Sequence, residues 1–217
     1  MLVYVTAIGS GHSAKVPIGT NIYGGVVGVI EETKQFGKTY KNQELEQDKL
    51  FDLLYADTDF ELITKCNVLS DENLYLKGKV IIECIDEIIK KYPKAKFHFE
   101  LSQGYKELAH ILSLVARMRY KYIDKVTFLR YDKSMIRFPN SDFSITKDKY
   151  AVLDGFYQGT KDTQFNGKIA TNKYMHQSPK HRKYIYAVIK WGKEQGIIGE
   201  NNYITDFGRL ALEFCKH

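Results

Sequence analysis

The apolar positions change period several times along the chain, and each change marks an element. "LVYVTAI" at residues 2–8 is a short, unbroken apolar run rich in β-branched residues, the pattern of a strand buried on both faces of a parallel sheet. "FELITKCNVL" at 60–69 reads as a second strand. "KVIIECIDEIIKKY" at 79–92 reads as an amphipathic helix with Ile81, Ile82, Ile85, Ile88 and Ile89 on one side. After Pro93, the residues Phe97, Phe99 and Leu101 alternate with His98 and Glu100, the two-residue period of a strand. From Leu108 onward Leu108, Ile111, Leu112, Val115 and Met118 recur at three and four, which predicts a helix over 104–120. "KVTFLRY" at 125–131 predicts a further strand, continued by a hairpin through Asp132 and Lys133 up to Pro139. Strand, helix, strand, helix, strand is the order of an α/β domain, a mostly parallel sheet flanked by helices. Residues 15–45 fit no single period: "IGTNIYGGVVGVIEET" is glycine-rich and ambiguous, and "KQFGKTYKNQELEQDK" reads as a loop running into a helix.

Beyond Pro139 the grammar changes, which sets expected domains of 1–139 and 140–217. "SITKDKYAVLDGFYQ" begins with a Ser/Thr cap and is helical, "NGKIATNKYMH" is a short helix at best, and "SPKHRKYIYAVIKWGKEQGII" places Pro179 near the start of a helix. "GENNYITDFGRLALEF" then reads as a tight turn, a short strand and a closing helix. Three helices, a small β-wing and a final helix describe a small winged helix-turn-helix domain.

Two polar turns interrupt the first domain. Gly9, Ser10, Gly11, His12 and Ser13 follow the first strand, and Ser102, Gln103, Gly104, Tyr105 and Lys106 separate the strand at 95–101 from its helix. In parallel sheets ligands bind outside the carboxyl ends of the strands, where both turns fall. Gly104 lets the backbone approach a ligand, Ser102 can cap, and the N–H groups of the first helical turn favour an anion, with Lys106 adding charge. An ordinary capped helix with a glycine easing its turn has the same pattern. His12 is a functional residue or an exposed loop residue; Tyr105 offers a stacking face for a base.

Charge sharpens the picture. Of the net +6, residues 1–101 contribute −3, residues 102–137 contribute +5 and residues 138–217 contribute +4. Between Lys168 and Lys193 there are seven basic residues, among them Lys173, Lys180, Arg182, Lys183 and Lys190, and no acid, as on a phosphate-binding face or a solvated lysine-rich surface. The chain of 217 residues is 44% hydrophobic, enough for a real core. No apolar run approaches a membrane span and no signal-peptide pattern opens the chain, so a cytoplasmic protein without a membrane partner is expected. Cys66, Cys84 and Cys215 are too far apart for a zinc or disulfide framework and read as buried or inert thiols. The six histidines show no metal-ligand spacing, and HExxH, GxxxxGK[ST] and GxSxG are all missing, so neither metal nor cofactor is expected. "GSGHS" has Ala14 where a dinucleotide fingerprint has its third glycine.

"TAIGSGHS", the helix start "ELSQGYKELAHILSLVA" and "NYITDFGRLALEF" together resemble the CRISPR-associated Rossmann-fold (CARF) proteins, whose helix start reads acidic-x-Ser/Thr-x-Gly-x-Lys/Arg. Residues 15–50 depart from that family, whose members pass directly from the first turn into a helix. The resemblance implies a Rossmann-like sheet domain, a homodimer and a cleft shared by two subunits for a cyclic oligoadenylate, most often of four units. It implies phosphates on the N–H groups of Gly104 and Tyr105 and on Lys106, with Ser10, Ser13 and Gln103 bonding ribose or base. Two activities compete. One is a metal-independent ring nuclease using Ser10 or Ser13 and Lys168 or Lys106; the other is a regulator binding double-stranded DNA through Lys173, Lys180, Arg182, Lys183 and Lys190. A third possibility is a DNA-binding regulator whose sheet domain senses another nucleotide or only dimerises.

Overall fold

The computed structural model describes residues 1–8, 22–32, 49–52, 55–56, 60–69, 71–103, 106–129, 135–138, 145–160, 182–200 and 202–214. The chain divides into two compact units, Met1–Asp142 and Phe143–His217.

In the first unit the strands are β1 (Leu2–Ile8), β2 (Gly25–Glu32), β3 (Leu62–Leu69), β4 (Lys96–Glu100), β5 (Ile123–Leu129) and β6 (Met135–Phe138). Helix α1 spans Leu74–Lys91, α2 spans Lys106–Met118, and a 3-10 turn at Tyr120–Tyr122 leads into β5. The sheet order is β3-β2-β1-β4-β5-β6; the first five strands are parallel and β6 runs antiparallel to β5. This is a Rossmann-like α/β sheet.

Strand β2 lies in the stretch that fits no sequence period. It is central and buried on both faces, so its run is apolar throughout, and its glycines answer to space: a Cβ on Gly28 would lie 2.4 Å from Ile8 Cδ1 and 2.7 Å from Phe51 Cζ. Helix α1 begins five residues before the periodicity indicates, because the Asn73 side chain caps it by accepting from Leu76 N–H at 3.0 Å.

One face of the sheet buries Tyr4, Ile8, Val26 and Ile30 with Tyr23 and Phe51. The other buries Val3, Val5, Ala7, Val27, Val29, Phe97 and Phe99, and on this side α1 and α2 supply Ile81, Ile82, Ile85, Leu108, Ile111 and Leu112. Burying a Leu or Ile side chain is worth about 1.5–3 kcal/mol, so this layer is the main source of stability. Two contacts fix the side on which α1 lies. Cys66 of β3 hydrogen-bonds Cys84 of α1, a bond that with burial pushes the Cys66 thiol well above its ordinary range. The Arg119 guanidinium grips Asp86 of α1 with two bonds of 2.6 Å. The two cysteines, far apart in sequence, are therefore partners rather than isolated thiols; Cys215 lies outside the described residues.

In the second unit the described helices are α3 (Lys147–Thr160), α4 (Arg182–Glu194) and α5 (Asp206–Phe214). Ile145, Val152, Leu153, Phe156, Ile185, Val188, Leu210 and Ala211 form its core. Helix α4 ends at Gly196, whose φ of +74° suits glycine and lets Ile197 N–H reach Gly192 O at 2.8 Å. Between α4 and α5 the described pairing is one antiparallel bridge, Ile198 with Ile204, where the sequence suggested a wing. Thr205 caps α5, accepting from Gly208 N–H at 2.9 Å.

Candidate functional site

The strand order decides where a site can form. From β1 the chain moves outward to β2 and β3, then returns to lay β4 on the other side of β1. The carboxyl ends of β1 and β4 are therefore neighbours at the point where the winding reverses, with Thr6 paired to Glu100. Such a point opens a crevice between the crossovers. The segment beginning at Gly9 leaves β1 there, and the segment beginning at Leu101 leaves β4 beside it.

Glu100 organises the β4 end. Its side chain is buried, and its Oε1 accepts from Ser102 N–H at 2.9 Å and from the Ser102 hydroxyl. Its Oε2 lies 3.4 Å from the hydroxyl of buried Thr6 on β1. One carboxylate thus ties the two adjacent strand ends together and sets the Ser102 turn. Ser102 and Gln103 are half-buried, and Lys106 is exposed at the first position of α2, where the helix N-terminus favours an anion.

A second polar group sits at the same edge on the α1/α2 side. Lys77, 1% exposed, donates to Glu31 Oε1 at 2.7 Å, at the end of β2, and to Glu107 Oε1 at 3.2 Å, in the first turn of α2. Burial lowers the Lys77 pKa, but the bonds to the two carboxylates outweigh it and the net shift is upward. The ammonium is charged, and it offsets Glu107 at a helix start that otherwise attracts anions. Sequence reasoning passed over Lys77. Its signal was there: Lys77 occupies the turn before Ile81 and Ile85 on the apolar stripe, where a lysine needs buried partners.

Further back, His98 of β4 lies 2.5 Å from the Tyr23 hydroxyl through Nδ1 and 2.7 Å from Thr127 Oγ1 through Nε2, with the Tyr4 ring edge-on at 5.1 Å. Burial, then the charge of Asp124, raises the Tyr23 pKa. Tyr23 thus keeps its proton, and the two hydroxyls, each able to donate or accept, satisfy both ring nitrogens of His98. The histidine is a satisfied core group. Among the described residues no cluster of His, Cys, Asp or Glu could hold a metal ion.

The fold has a counterpart among solved structures. Enterococcus italicus Csm6 bound to cyclic hexa-2'-fluoro-hexa-dAMP is similar in fold, with a TM-score of 0.50 and 10% sequence identity. The similarity covers 90% of this chain and 54% of that one, so the chain spans about half the length of that protein. At this identity the likeness concerns the fold, a parallel Rossmann-like sheet with helices. No protein-family model and no curated protein sequence matches the chain.

Of the residues singled out in the sequence, Ser102, Gln103 and Lys106 stand together at the β4 edge. Gly9, Ser10, Gly11, His12, Ser13, Gly104, Tyr105, Lys168, Lys173 and Lys180 lie outside the described residues. Arg182, Lys183 and Lys190 are exposed on α4, whose opposite side buries Ile185, Val188 and Ile189; Lys193 and Tyr186 extend the exposed side. No described helix is long and apolar enough to cross a membrane.

Proposed function

We propose that the carboxyl edge of the sheet binds a cyclic oligoadenylate, in a homodimer that shares one ligand between two such edges. The reading is carried by the Glu100-fixed Ser102 turn, which opens a helix led by Lys106 at the point where the winding reverses. Phosphates suit Lys106 and the first turn of α2; Gln103 and Ser102 suit ribose or base. Two further observations support it: the resemblance of "ELSQGYK" to the CARF helix start, and the fold similarity to a protein solved with a cyclic six-adenosine analogue.

The ligand is a ring of four units on the family resemblance, and it is consumed. A ribose 2′-oxygen attacks its own 3′-phosphorus and the bond to the next O5′ breaks. A 2′,3′-cyclic phosphate and a 5′-hydroxyl result, the latter taking up the proton that the 2′-hydroxyl loses. Holding nucleophile and leaving group in line, with a serine and a lysine facing the developing charge, is sufficient chemistry for this step. Ser10, with Ser13 as alternate, and Lys168, with Lys106 as alternate, are assigned those roles.

The exposed cations of α4 favour a second reading, in which the unit containing it is a winged helix-turn-helix and the ligand only changes its affinity for double-stranded DNA. One experiment separates the two. Purified protein is incubated with labelled cyclic tetra-adenylate and cyclic hexa-adenylate in EDTA, and the products are resolved by chromatography. Linear products that vanish in Ser10→Ala or Lys168→Ala establish the nuclease. Intact retained ligand, together with duplex binding that weakens steeply with salt, establishes the regulator.

A further inference from the structure

We infer that Cys66 and Cys84 are a hydroperoxide-responsive thiol pair: a peroxide oxidises Cys84, and Cys66 then closes a reversible disulfide that ties α1 to β3. The inference is independent of nucleotide binding and rests on how the fold brings the two sulfurs together. They lie 18 residues apart in sequence, one on a strand and one on a helix. Along β3 burial alternates, so Cys66 and Val68 point inward while Lys65 and Asn67 are exposed. On α1, Cys84 stands in a row with Lys77, Ile81 and Ile88, spaced at three and four, and those three are buried. The row on the helix meets the inward side of the strand at the sulfurs, where Cys66 hydrogen-bonds Cys84.

Location makes the two cysteines unequal. Cys66 is 3% exposed, whereas Cys84 is half-buried. Strand β3 is the last strand of the sheet on its side, so the pair sits at a margin that no further strand of that sheet covers. A small oxidant therefore reaches Cys84 first. The hydrogen bond from Cys66 favours the Cys84 thiolate and outweighs burial and the charge of Glu87, which oppose it. Cys66 for its part keeps its proton. The thiolate is the attacking group and the neighbouring thiol is the one that resolves the product.

The chemistry takes two steps. The Cys84 sulfur attacks one oxygen of the peroxide, the O–O bond breaks, and the oxygen that leaves takes up a proton as water (or as an alcohol from an organic hydroperoxide). Cys84 is now a sulfenic acid and the peroxide is reduced. The Cys66 sulfur then attacks the Cys84 sulfur, the S–S bond forms, and the S–O bond breaks. The departing hydroxyl leaves as water with the proton that Cys66 gives up. Two thiols and one hydrogen peroxide thus yield one disulfide and two waters, and a dithiol reductant restores the thiols by exchange. The product joins an outer strand to the helix beside it, two turns along α1 from Lys77.

The test uses the full chain, reduced, freed of reductant and treated with a small excess of hydrogen peroxide at neutral pH. Remaining thiols are blocked with N-ethylmaleimide in denaturant, the monomer is taken from a non-reducing gel, and its tryptic peptides are read by mass spectrometry. Cleavage after Lys65, Lys77, Lys79 and Lys90 puts Cys66 and Cys84 in different peptides. Wild type and Cys215→Ser are expected to show peptides 66–77 and 80–90 joined, two hydrogens lighter than their sum and released by dithiothreitol. Cys84→Ala is expected to lose the link and leave Cys66 open to the maleimide. Cys66→Ala is expected to lose the link too and, with dimedone present during oxidation, to carry the dimedone adduct of a sulfenic acid on Cys84. Both thiols still open to the maleimide in oxidised wild type, a link to Cys215 in place of the expected one, or Cys84 carried on to the sulfinic acid with Cys66 free overturns the inference, as does folded Cys66→Ala without the adduct. If Cys66→Ala fails to fold, oxidised wild type beside Cys84→Ala still decides.

Discussion

Lys77 shows what a single side chain decides at this edge. Its ammonium is 1% exposed and Glu31 is 9% exposed, whereas Glu107 is 51% exposed. Lys77→Met leaves the Glu31 carboxylate buried without its cation, and removing one member of a buried pair costs about 3–5 kcal/mol. Glu107→Gln touches a carboxylate open to water, and its loss is worth about 1 kcal/mol or less. Urea unfolding of the two variants is expected to separate them in that order, and equal midpoints would contradict the assignment. Lys77, Tyr4 and Tyr23 agree on direction in alkali. The Lys77 pKa is raised above its ordinary 10.5, so the stability it contributes is whole below that pH and is lost as pH rises through the folded value. Tyr4, raised above 10.0 by burial, then by Glu100 and Tyr23, and Tyr23, raised by burial and Asp124, hold their protons longer in the folded chain than in the unfolded one. Above about pH 10 the unfolded chain therefore binds fewer protons, and stability falls with pH. Urea midpoints are expected to drop as pH rises beyond 10, with a smaller drop in Tyr4→Phe.

At the scale of elements, most of what was readable came from period and caps. Strands β1, β3, β4 and β5 and helices α1 and α2 follow runs whose apolar spacing suits one element only. Strand β2 did not, because a central parallel strand is apolar on both faces and so has no two-residue period, and because Gly25 and Gly28 lower its strand propensity while meeting a need for space that only the folded sheet defines. Strand β4 carried a different ambiguity. Its alternation of Phe97 and Phe99 with His98 and Glu100 reads as a strand, yet says nothing of whether the polar side meets water. In the sheet both sides are buried, and the polar one is satisfied by Tyr23, Thr127, Thr6 and Ser102. The start of α1 was obscured by Lys77, a charge on its apolar stripe. Asn73→Ala, which removes the cap, is expected to cost about 1 kcal/mol. In the second unit Gly208→Ala is expected to be more damaging than that, because its Cβ would lie 2.3 Å from Ile197 O, a backbone atom that cannot swing away. Differential scanning calorimetry of both variants checks the order.

For the whole molecule, the sheet order is the fact that gives the sequence motifs their meaning. The serine, glycine and lysine of residues 102–106 and the glycines and serines of residues 9–13 are 90 residues apart in sequence, and the topology makes the strands that precede them neighbours. The α/β class was legible from the order of strands and helices. The adjacency of β1 and β4 was not, since it depends on β2 taking the other side of β1. Glu100 was visible as the acidic first position of a motif, but its work, fixing the Ser102 turn and reaching Thr6 across the strand gap, is a property of the folded edge.

The central claim is that a cyclic oligoadenylate sits on the carboxyl edge of the sheet, and photo-crosslinking tests it most directly. Cyclic tetra- and hexa-adenylate carrying 8-azidoadenine are bound to the full chain, irradiated, and the labelled peptides identified by mass spectrometry, with unlabelled ring as competitor. Labelling that competitor removes, confined to the segments following β1 and β4, is the predicted result. Labelling that the competitor does not reduce, or that falls only within residues 143–217, would contradict the account.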